Sequence, residues 1–286
     1  MKRLADAAFE AGWRAGRGLT RWPAIGEHTP GAVHTEFEVC VLEPGGSVEP
    51  AVQSFEECFF ILEGTPQLRT ESGGFALHVG DYGLIPVGSP HAWHNPSAEP
   101  ARWAAMRSPQ PRAGHDFDTY SVPPLPDGPF LAVDPRDPRT RRLGHIEPSN
   151  MDARSVSMNT ALLVYSGIAV KMMVDTNLGA QLNTMFMVHY EPEGVAGAHD
   201  HPFEETYMFL EGEAEAVFDD QTYRLGPGDI AFAGVGCVHG FRNVGEGPLR
   251  WLETQAPQPP ARHSYRFVRD WAYLSSIMQL GYAGER

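Results

Sequence analysis

The sequence predicts an all-β protein made of two homologous domains and one C-terminal helix. Two segments of the chain are similar to each other, which indicates an internal duplication. Each segment consists of short apolar runs, such as HTEFEVCVLEPGG and YMFLEG, separated by clusters of Gly, Pro and Asp. This pattern is typical of a β-sandwich or a small β-barrel. Helical spacing of apolar residues is found in the tail.

The duplication is visible in two matched stretches. FEECFFILEG at 55–64 is similar to FEETYMFLEG at 203–212, and GDYGLIPVGSPHAWHN at 80–95 is similar to GDIAFAGVGCVHGFRN at 228–243. Three identical pairs share one offset of 148 positions: Glu57 and Glu205, Gly80 and Gly228, and His91 and His239. A constant offset without insertions indicates two copies of one domain.

The chain is therefore expected to have four parts. The first copy covers residues 1–112 and the second covers 156–262. Between them, residues 113–155 are rich in Pro, Asp and Arg, which indicates a linker or a segment that wraps over the other domain. Residues 263–286 are expected to form an amphipathic helix that packs on a barrel or on a partner subunit, because four apolar residues recur at helical spacing: Phe267, Trp271, Leu274 and Met278.

Charge and composition exclude several kinds of partner. The formal net charge is −14, and an acidic chain repels nucleic acid and anionic membranes. No stretch approaches the roughly 18–20 apolar residues of a membrane span, and the N-terminus lacks the apolar run of a signal peptide. The three cysteines, Cys40, Cys58 and Cys237, form no CxxC pair and favour a reducing compartment, so a cytoplasmic protein is expected.

A metal site is predicted in the second copy, within GAHDHPFEETYMFLEG. His199 and His201 are two residues apart, so in a strand both side chains project to the same face, and Glu205 keeps that parity. His239 follows a glycine-rich turn on a later strand. Three imidazoles and one carboxylate suit one divalent transition metal, for which Mn, Fe, Ni and Zn are all candidates. An octahedral ion with four protein ligands keeps two positions open for substrate, water or O₂.

These residues carry a resemblance to the cupin superfamily. The first motif has two histidines, a glutamate four residues later and Gly212, and the second has Gly228, Gly236, His239 and Asn243. Gly234 departs from the pattern, because proline is usual there. The resemblance covers both copies and implies two tandem cupin barrels, each a jelly roll or double-stranded β-helix.

The first copy has lost most of the ligand set. Subtracting 148 places Ala51, Gln53, Glu57 and His91 at the four ligand positions. Ala51 has no ligand atom, so Gln53, Glu57 and His91 are interpreted as a vestigial site. One metal ion per chain is therefore expected, bound in the C-terminal copy.

Four further residues are candidates for the surroundings of the metal. Strand parity points Tyr207, Phe209 and Phe241 inward, where they would shape a pocket for a small polar or aromatic molecule. Core packing is the alternative for Phe209 and Phe241. The Tyr207 hydroxyl is a candidate for orienting a substrate or donating a proton. Arg250 is a candidate partner for a substrate carboxylate if it faces inward.

Fold and metal leave the reaction open. The overall plan, a degenerate first domain and a metal-bearing second one, resembles the ureidoglycine aminohydrolase family, and this resemblance implies a metal-dependent hydrolase. The ligand order differs from that family's pattern, which is similar to Glu-x-His-x3-His with a later Gln. An Fe(II)-dependent cupin dioxygenase is the first alternative, and a non-catalytic cupin that binds small ligands is the second. A homo-oligomer is expected by analogy with other cupins.

Overall fold

The computed structural model describes residues 1–12, 16–147, 151, 165–259 and 266–267. The described chain is almost entirely β-structure, arranged as two curled, mainly antiparallel sheets, one for each copy of the repeat. The predicted all-β fold of two barrel-like domains is therefore confirmed. Among the described residues, no helix is long and apolar enough to span a membrane.

Among the described residues, the N-terminal sheet has twelve strands: β2 Glu10–Ala11, β3 Gly16–Ile25, β4 Glu36–Gln53, β5 Glu56–Glu63, β6 Gln67–Thr70, β7 Gly73–Ala76, β8 Asp81–Ile85, β9 His91–His94, β10 Ala101–Ser108, β11 Thr119–Ser121, β12 Phe130–Leu131 and β13 Leu143–His145. They are joined in the order β12-β7-β6-β9-β4-β10-β5-β8-β13, with β3 and β11 on β4 and β2 on β3.

In the part of the chain that the structure describes, the C-terminal sheet has ten strands: β1 Lys2–Arg3, β14 Tyr165–Val174, β15 Thr184–Asp200, β16 Glu204–Glu211, β17 Ala214–Phe218, β18 Gln221–Leu225, β19 Asp229–Ala233, β20 His239–Asn243, β21 Leu249–Ala256 and β22 Arg266–Phe267. Their order is β1-β19-β16-β21-β15-β20-β17-β18, with β14 and β22 also pairing with β15. Three short 3₁₀ helices complete the described elements: Leu4–Asp6, Ala113–Asp118 and Pro138–Thr140.

The duplication is reproduced in the strands themselves. β5, β8 and β10 become β16, β19 and β21 when 148 is added to both ends of each strand. The long strands β4 and β15 hold each domain together, because each pairs with one set of neighbours along its first half and with another along its second. The turn after β16 needs Gly212, whose φ is +76° and whose absent Cβ would lie 2.4 Å from the Pro248 carbonyl oxygen.

The ends of the predicted parts differ from the structure. Residues 113–155, interpreted as a linker or wrapping segment, contribute β11, β12 and β13 to the N-terminal sheet, because exposed edges of that sheet offer unpaired backbone groups. In the opposite direction, Lys2–Arg3 of the first copy pairs with β19 of the second. Most of the helix predicted over 263–286 lies outside the described residues, but Arg266–Phe267 forms a strand on β15 and is not helical.

Three apolar clusters form the core of the described chain. One fills the N-terminal barrel and one fills the C-terminal barrel. The third joins the two domains, since it packs Trp22, Phe37 and Met106 of the first against residues such as Met185 and Leu252 of the second. The two barrels therefore share a buried apolar interface, and each supports the outer face of the other.

Candidate metal centre

Three of the four predicted ligands lie together inside the C-terminal barrel. His199, near the end of β15, is the cross-strand partner of His239, the first residue of β20. His201 lies in the turn between β15 and β16. The ligand atoms of the three imidazoles are all within 4.8 Å of one another, and all three side chains are buried. No other such group of three His, Cys, Asp or Glu residues occurs in the part of the chain that the structure describes.

Backbone carbonyls orient each ring. The Nδ1 atoms of His199, His201 and His239 lie 2.9, 2.9 and 3.0 Å from the carbonyl oxygens of Gly197, Phe203 and Cys237, respectively. A carbonyl only accepts hydrogen bonds, so each Nδ1 carries a proton, and Nε2 is the atom that each ring, in its neutral form, can offer to a metal. This is how ligating histidines are held in metal sites.

Glu205 completes the group. Its Oε2 atom lies 2.8 Å from His201 Nε2 and 3.2 Å from His239 Nε2. The carboxylate is held from two other sides, since Gln255 Nε2 donates to Oε1 at 2.6 Å and the Tyr207 hydroxyl donates to Oε2. Strand pairing explains the contact between Glu205 and Gln255, because the two residues are opposite each other on β16 and β21.

The pKa shifts show how strongly the groups interact. Burial lowers the pKa of His199 to about 4, so this ring is neutral at physiological pH. Burial opposes ionisation of Glu205, but His201 and His239 outweigh it and hold the pKa of the carboxyl well below its usual range. Burial also disfavours charge on His201, yet the neighbouring Glu205 carboxylate raises the pKa of that ring.

Tyr165 is a site residue that the sequence analysis missed. Its hydroxyl lies 2.9 Å from His199 Nε2 and is buried. Because His199 Nδ1 carries the proton, the hydroxyl donates to the Nε2 lone pair, which is the pair that would bind a metal. Metal binding and this hydrogen bond therefore exclude each other. No signal in the sequence pointed to Tyr165, since it lies outside the two matched stretches.

The remaining candidate residues take different places. Tyr207 donates to Glu205, and burial raises the pKa of its phenol well above the usual value. Phe209 and Phe241 pack on Trp251, with ring centroids 5.3 and 4.9 Å away, inside the core of the barrel. Arg250 is on the opposite face of β21 from Trp251, where it pairs with Glu211. It does not face the metal ligands, so we give it no role toward a substrate carboxylate.

A second carboxyl group lies in the same interior. Glu253 is buried on β21, and Trp251 Nε1 donates to its Oε2 at 2.8 Å. Burial, followed by repulsion from Glu205, raises the pKa of Glu253 well above its usual value. The barrel interior thus combines one ionised carboxylate among the imidazoles with one neutral carboxyl nearby.

The donor set fits a divalent transition metal. Three imidazoles that can offer Nε2 and one ionised carboxylate are the N/O ligands that Mn, Fe, Ni and Zn accept. The carboxylate and all three rings are buried, and hydrogen bonds to their outer atoms orient them. These features support ligation by His199, His201, Glu205 and His239, which stays a prediction.

The N-terminal barrel contains a cation of its own. Arg107, the equivalent of Gln255, is buried, and its Nε atom lies 2.8 Å from Glu57, the equivalent of Glu205. Its Nη1 atom also lies 3.1 and 2.6 Å from Glu36 and Glu38. The guanidinium therefore supplies the positive charge beside Glu57.

The other vestigial residues remain beside this cluster. Gln53 Nε2 donates to Glu57 Oε2 at 3.4 Å. His91 keeps the ring geometry of its counterpart His239, since its Nδ1 atom lies 3.0 Å from the Ser89 carbonyl oxygen. Arg21 also pairs with Glu38 at 3.0 Å, so two guanidinium groups contact the three buried carboxyl groups.

The buried carboxyl groups around Arg107 lead to a prediction about how the stability of the protein depends on pH. Burial, and then repulsion from Glu38, raises the pKa of Glu36 from 4.5 to about 7. The folded state therefore favours the protonated Glu36 carboxyl, and this contribution to the unfolding free energy is fully present below pH 4.5. It is lost as the pH rises through 7, and the loss is about 3 kcal/mol at most. Glu36→Gln is therefore expected to flatten the fall in unfolding free energy between pH 5 and 7, measured by urea denaturation at several pH values.

The matched control is Glu63→Gln. Glu63 is also paired with an arginine, Arg102, at 2.8 Å, but it is exposed. The Glu63→Gln substitution should leave the pH dependence of the unfolding free energy unchanged. If the Glu36→Gln protein loses stability over this range as steeply as the wild type, Glu36 is not the group responsible.

Comparison with known proteins agrees with this architecture. The cupin domain model matches the chain twice, over residues 38–107 and 186–254. Adding 148 to the start of the first match gives the start of the second. No significant match was found among curated protein sequences.

Solved structures with this fold include oxalate decarboxylases. A variant of the Bacillus subtilis enzyme superposes with a TM-score of 0.66 at 16% identity, covering 94% of this chain and 79% of that one. The Lactobacillus farciminis enzyme in its formate complex gives a TM-score of 0.66 at 15% identity, covering 97% and 95%. Likeness at this identity shows a shared fold. With two matches to the cupin domain and one barrel built around each, the chain contains two tandem cupin domains.

Proposed function

We propose that this bicupin is a metal-dependent enzyme that acts on a small polar or aromatic organic molecule at a single metal ion in its C-terminal barrel. The observation that carries the proposal is the set of three buried imidazoles, His199, His201 and His239, each with Nδ1 held by a carbonyl and Nε2 turned toward the others. Glu205 supplies the fourth ligand.

The protein groups around the ligands have separate tasks. A bound divalent ion supplies Lewis-acid chemistry, and with an open-shell metal also redox chemistry. Gln255 and Tyr207 hold the Glu205 carboxylate in one orientation, so that its charge is directed at the imidazoles. Burial of the whole group strengthens each electrostatic interaction, because little water is present to screen it.

The N-terminal barrel is proposed to carry no metal. Two of its three imidazole positions are occupied by Ala51 and Gln53, and Arg107 already pairs with the remaining carboxylate, Glu57. A second cation at Glu57 would face the buried guanidinium at close range, which is strongly unfavourable. One metal ion per chain is the expected stoichiometry.

Three assays test candidate classes of substrate. The structural relatives are oxalate decarboxylases, which makes oxalate the first compound to test, with formate and CO₂ as products. The plan of a degenerate first domain and a complete second one resembles ureidoglycine aminohydrolases, so ammonia release from ureidoglycine is the second assay. The third is O₂ uptake with catechol-like or salicylate-like substrates on the iron-loaded protein.

Elemental analysis of the purified protein tests the proposal directly. We expect close to one equivalent of a transition metal per chain, removable by a chelator and restored by Mn, Fe, Ni or Zn. Absence of binding after reloading with all four metals would refute the metal centre. Metal binding without turnover in any assay, together with a rise in melting temperature on adding the same compounds, would indicate a ligand-binding cupin instead of an enzyme.

A further inference from the structure

Glu204, the residue immediately before the predicted ligand Glu205, links the two domains. Its side chain is fully buried, and its carboxylate accepts hydrogen bonds from three consecutive backbone N–H groups of the N-terminal domain. Val33 donates to Oε1 at 2.7 Å, His34 lies 3.1 Å from both oxygens, and Thr35 donates to Oε2 at 3.1 Å. Such a cluster of charge-assisted bonds fixes the carboxylate firmly.

Glu204, which we call an anchor because its carboxylate binds the other domain, lies next to two of the predicted ligands. Glu204 begins β16, and because side chains alternate along a strand, Glu205 points into the barrel while Glu204 points toward the other domain. Phe203, on the other side of Glu204, accepts the Nδ1–H of His201 at its carbonyl oxygen, and its ring stacks on that imidazole with centroids 3.9 Å apart. The position of Glu204 therefore determines the backbone that holds both His201 and Glu205.

The N-terminal barrel makes the same contact in the opposite direction. Glu56 is the equivalent of Glu204, and its carboxylate accepts from the N–H groups of Gln181, Leu182 and Asn183 at 2.9, 3.0 and 3.1 Å. These three residues are the equivalents of Val33, His34 and Thr35. The interface thus contains two matched anchors, of which only one adjoins a predicted metal ligand, since the residue after Glu56 is Glu57, which pairs with Arg107.

We propose that Glu204 is a positioning residue through which the N-terminal barrel sets the geometry of the C-terminal metal ligands. The inference rests on the proposed function, because it assumes that His201 and Glu205 bind the ion. It also gives the N-terminal barrel a function that does not require a metal of its own: its loop 33–35 forms the outer support of the site. Removing a group that holds a metal ligand in place typically lowers the metal affinity by about 10–100-fold.

The test compares Glu204→Ala with Glu56→Ala in the full-length protein. Each substitution removes the acceptor of three backbone N–H groups at the same interface, so both should lower the melting temperature of the metal-free protein by similar amounts. Only Glu204→Ala should weaken binding of Zn²⁺, by about tenfold or more in a chelator competition. Only this variant should also alter the visible ligand-field spectrum of the Co²⁺-loaded protein. The conservative variant Glu204→Gln, which retains one acceptor oxygen, should fall between Glu204→Ala and the wild type in both measurements.

The outcomes separate the two proposals. If the wild-type protein binds no metal, the proposed function and this inference both fail. If the wild type binds Zn²⁺ and a folded Glu204→Ala protein has the same affinity and the same Co²⁺ spectrum, only the positioning role is refuted. Equal weakening by Glu56→Ala would refute it as well, since loss of the interface in general would then explain the effect. Should Glu204→Ala fail to fold, the comparison of Glu204→Gln with Glu56→Gln decides in the same way.

Discussion

Replacing His199 and His201 together by alanine is expected to abolish metal binding in the C-terminal barrel while the protein stays folded. Two of the three imidazoles are then absent, and His239 with Glu205 alone forms a weak two-ligand site. Metal content measured by elemental analysis should fall from about one equivalent to a trace, and any catalytic turnover should fall with it. Circular dichroism should still show an all-β protein. A double variant that keeps its full metal content would refute the ligand assignment.

The repeat supplies a matched control for a single substitution. His239 and His91 are equivalent, both are almost fully buried, and each Nδ1 lies 3.0 Å from the carbonyl oxygen of the residue two positions earlier. Replacing either one by alanine leaves a similar cavity and a similar unpaired carbonyl, so the costs in unfolding free energy of the metal-free proteins should be comparable. Only His239→Ala should lose metal. Loss of metal from His91→Ala would place the ion in the wrong barrel.

Replacing Arg107 by alanine is expected to be the most destabilising single change in the N-terminal barrel. The guanidinium contacts three buried carboxyl groups, Glu36, Glu38 and Glu57, at 2.6 to 3.1 Å. Removing one partner of a buried ion pair leaves charge without compensation and typically costs about 3–5 kcal/mol of unfolding free energy. Chemical denaturation at pH 8 measures this loss. Near pH 5 the loss should be smaller, because carboxyl groups without a counter-ion have raised pKa values and become neutral.

Arg102→Ala is the control for this experiment. Arg102 lies on the same strand, β10, and pairs with Glu63 at 2.8 Å, but this pair is on the surface. Exposed pairs contribute about 0–1 kcal/mol, so the control should be nearly as stable as the wild type. An Arg107→Ala protein that matches Arg102→Ala in stability would show that the guanidinium does not act as the internal counter-ion of this barrel.

The sequence by itself determined the duplication, the all-β class and the place of the candidate site. The constant offset of 148 positions aligned strands that the structure later matched residue for residue, such as β5 with β16. Strand periodicity also predicted that the side chains of His199 and His201 meet, and they do so although His201 lies just beyond the end of β15. These features could be predicted because they depend on neighbours in the chain or on comparison of the chain with itself.

Only the tertiary structure decided which distant side chains meet. Arg107 and Glu57 are 50 residues apart, and Gln255 and Glu205 are likewise 50 residues apart, but strand pairing places each pair in contact. Tyr165 reaches His199 for the same reason. The alternation of side chains along β21 did not decide whether Arg250 faces inward. Packing decided it, because Trp251 is buried in the barrel while Arg250, on the other face of the strand, pairs with Glu211.

The same distinction applies to the two glutamates of FEE in each repeat. Their repetition was evident in the sequence, yet the first of each pair gave no sign of its contact with the other domain, because backbone N–H groups leave no trace in residue types. Domain docking turned Glu56 and Glu204 into anchors on loops about 125 and 170 positions away in the chain. The sequence therefore predicted the ligands of the candidate site, whereas long-range pairing and burial decided what supports them.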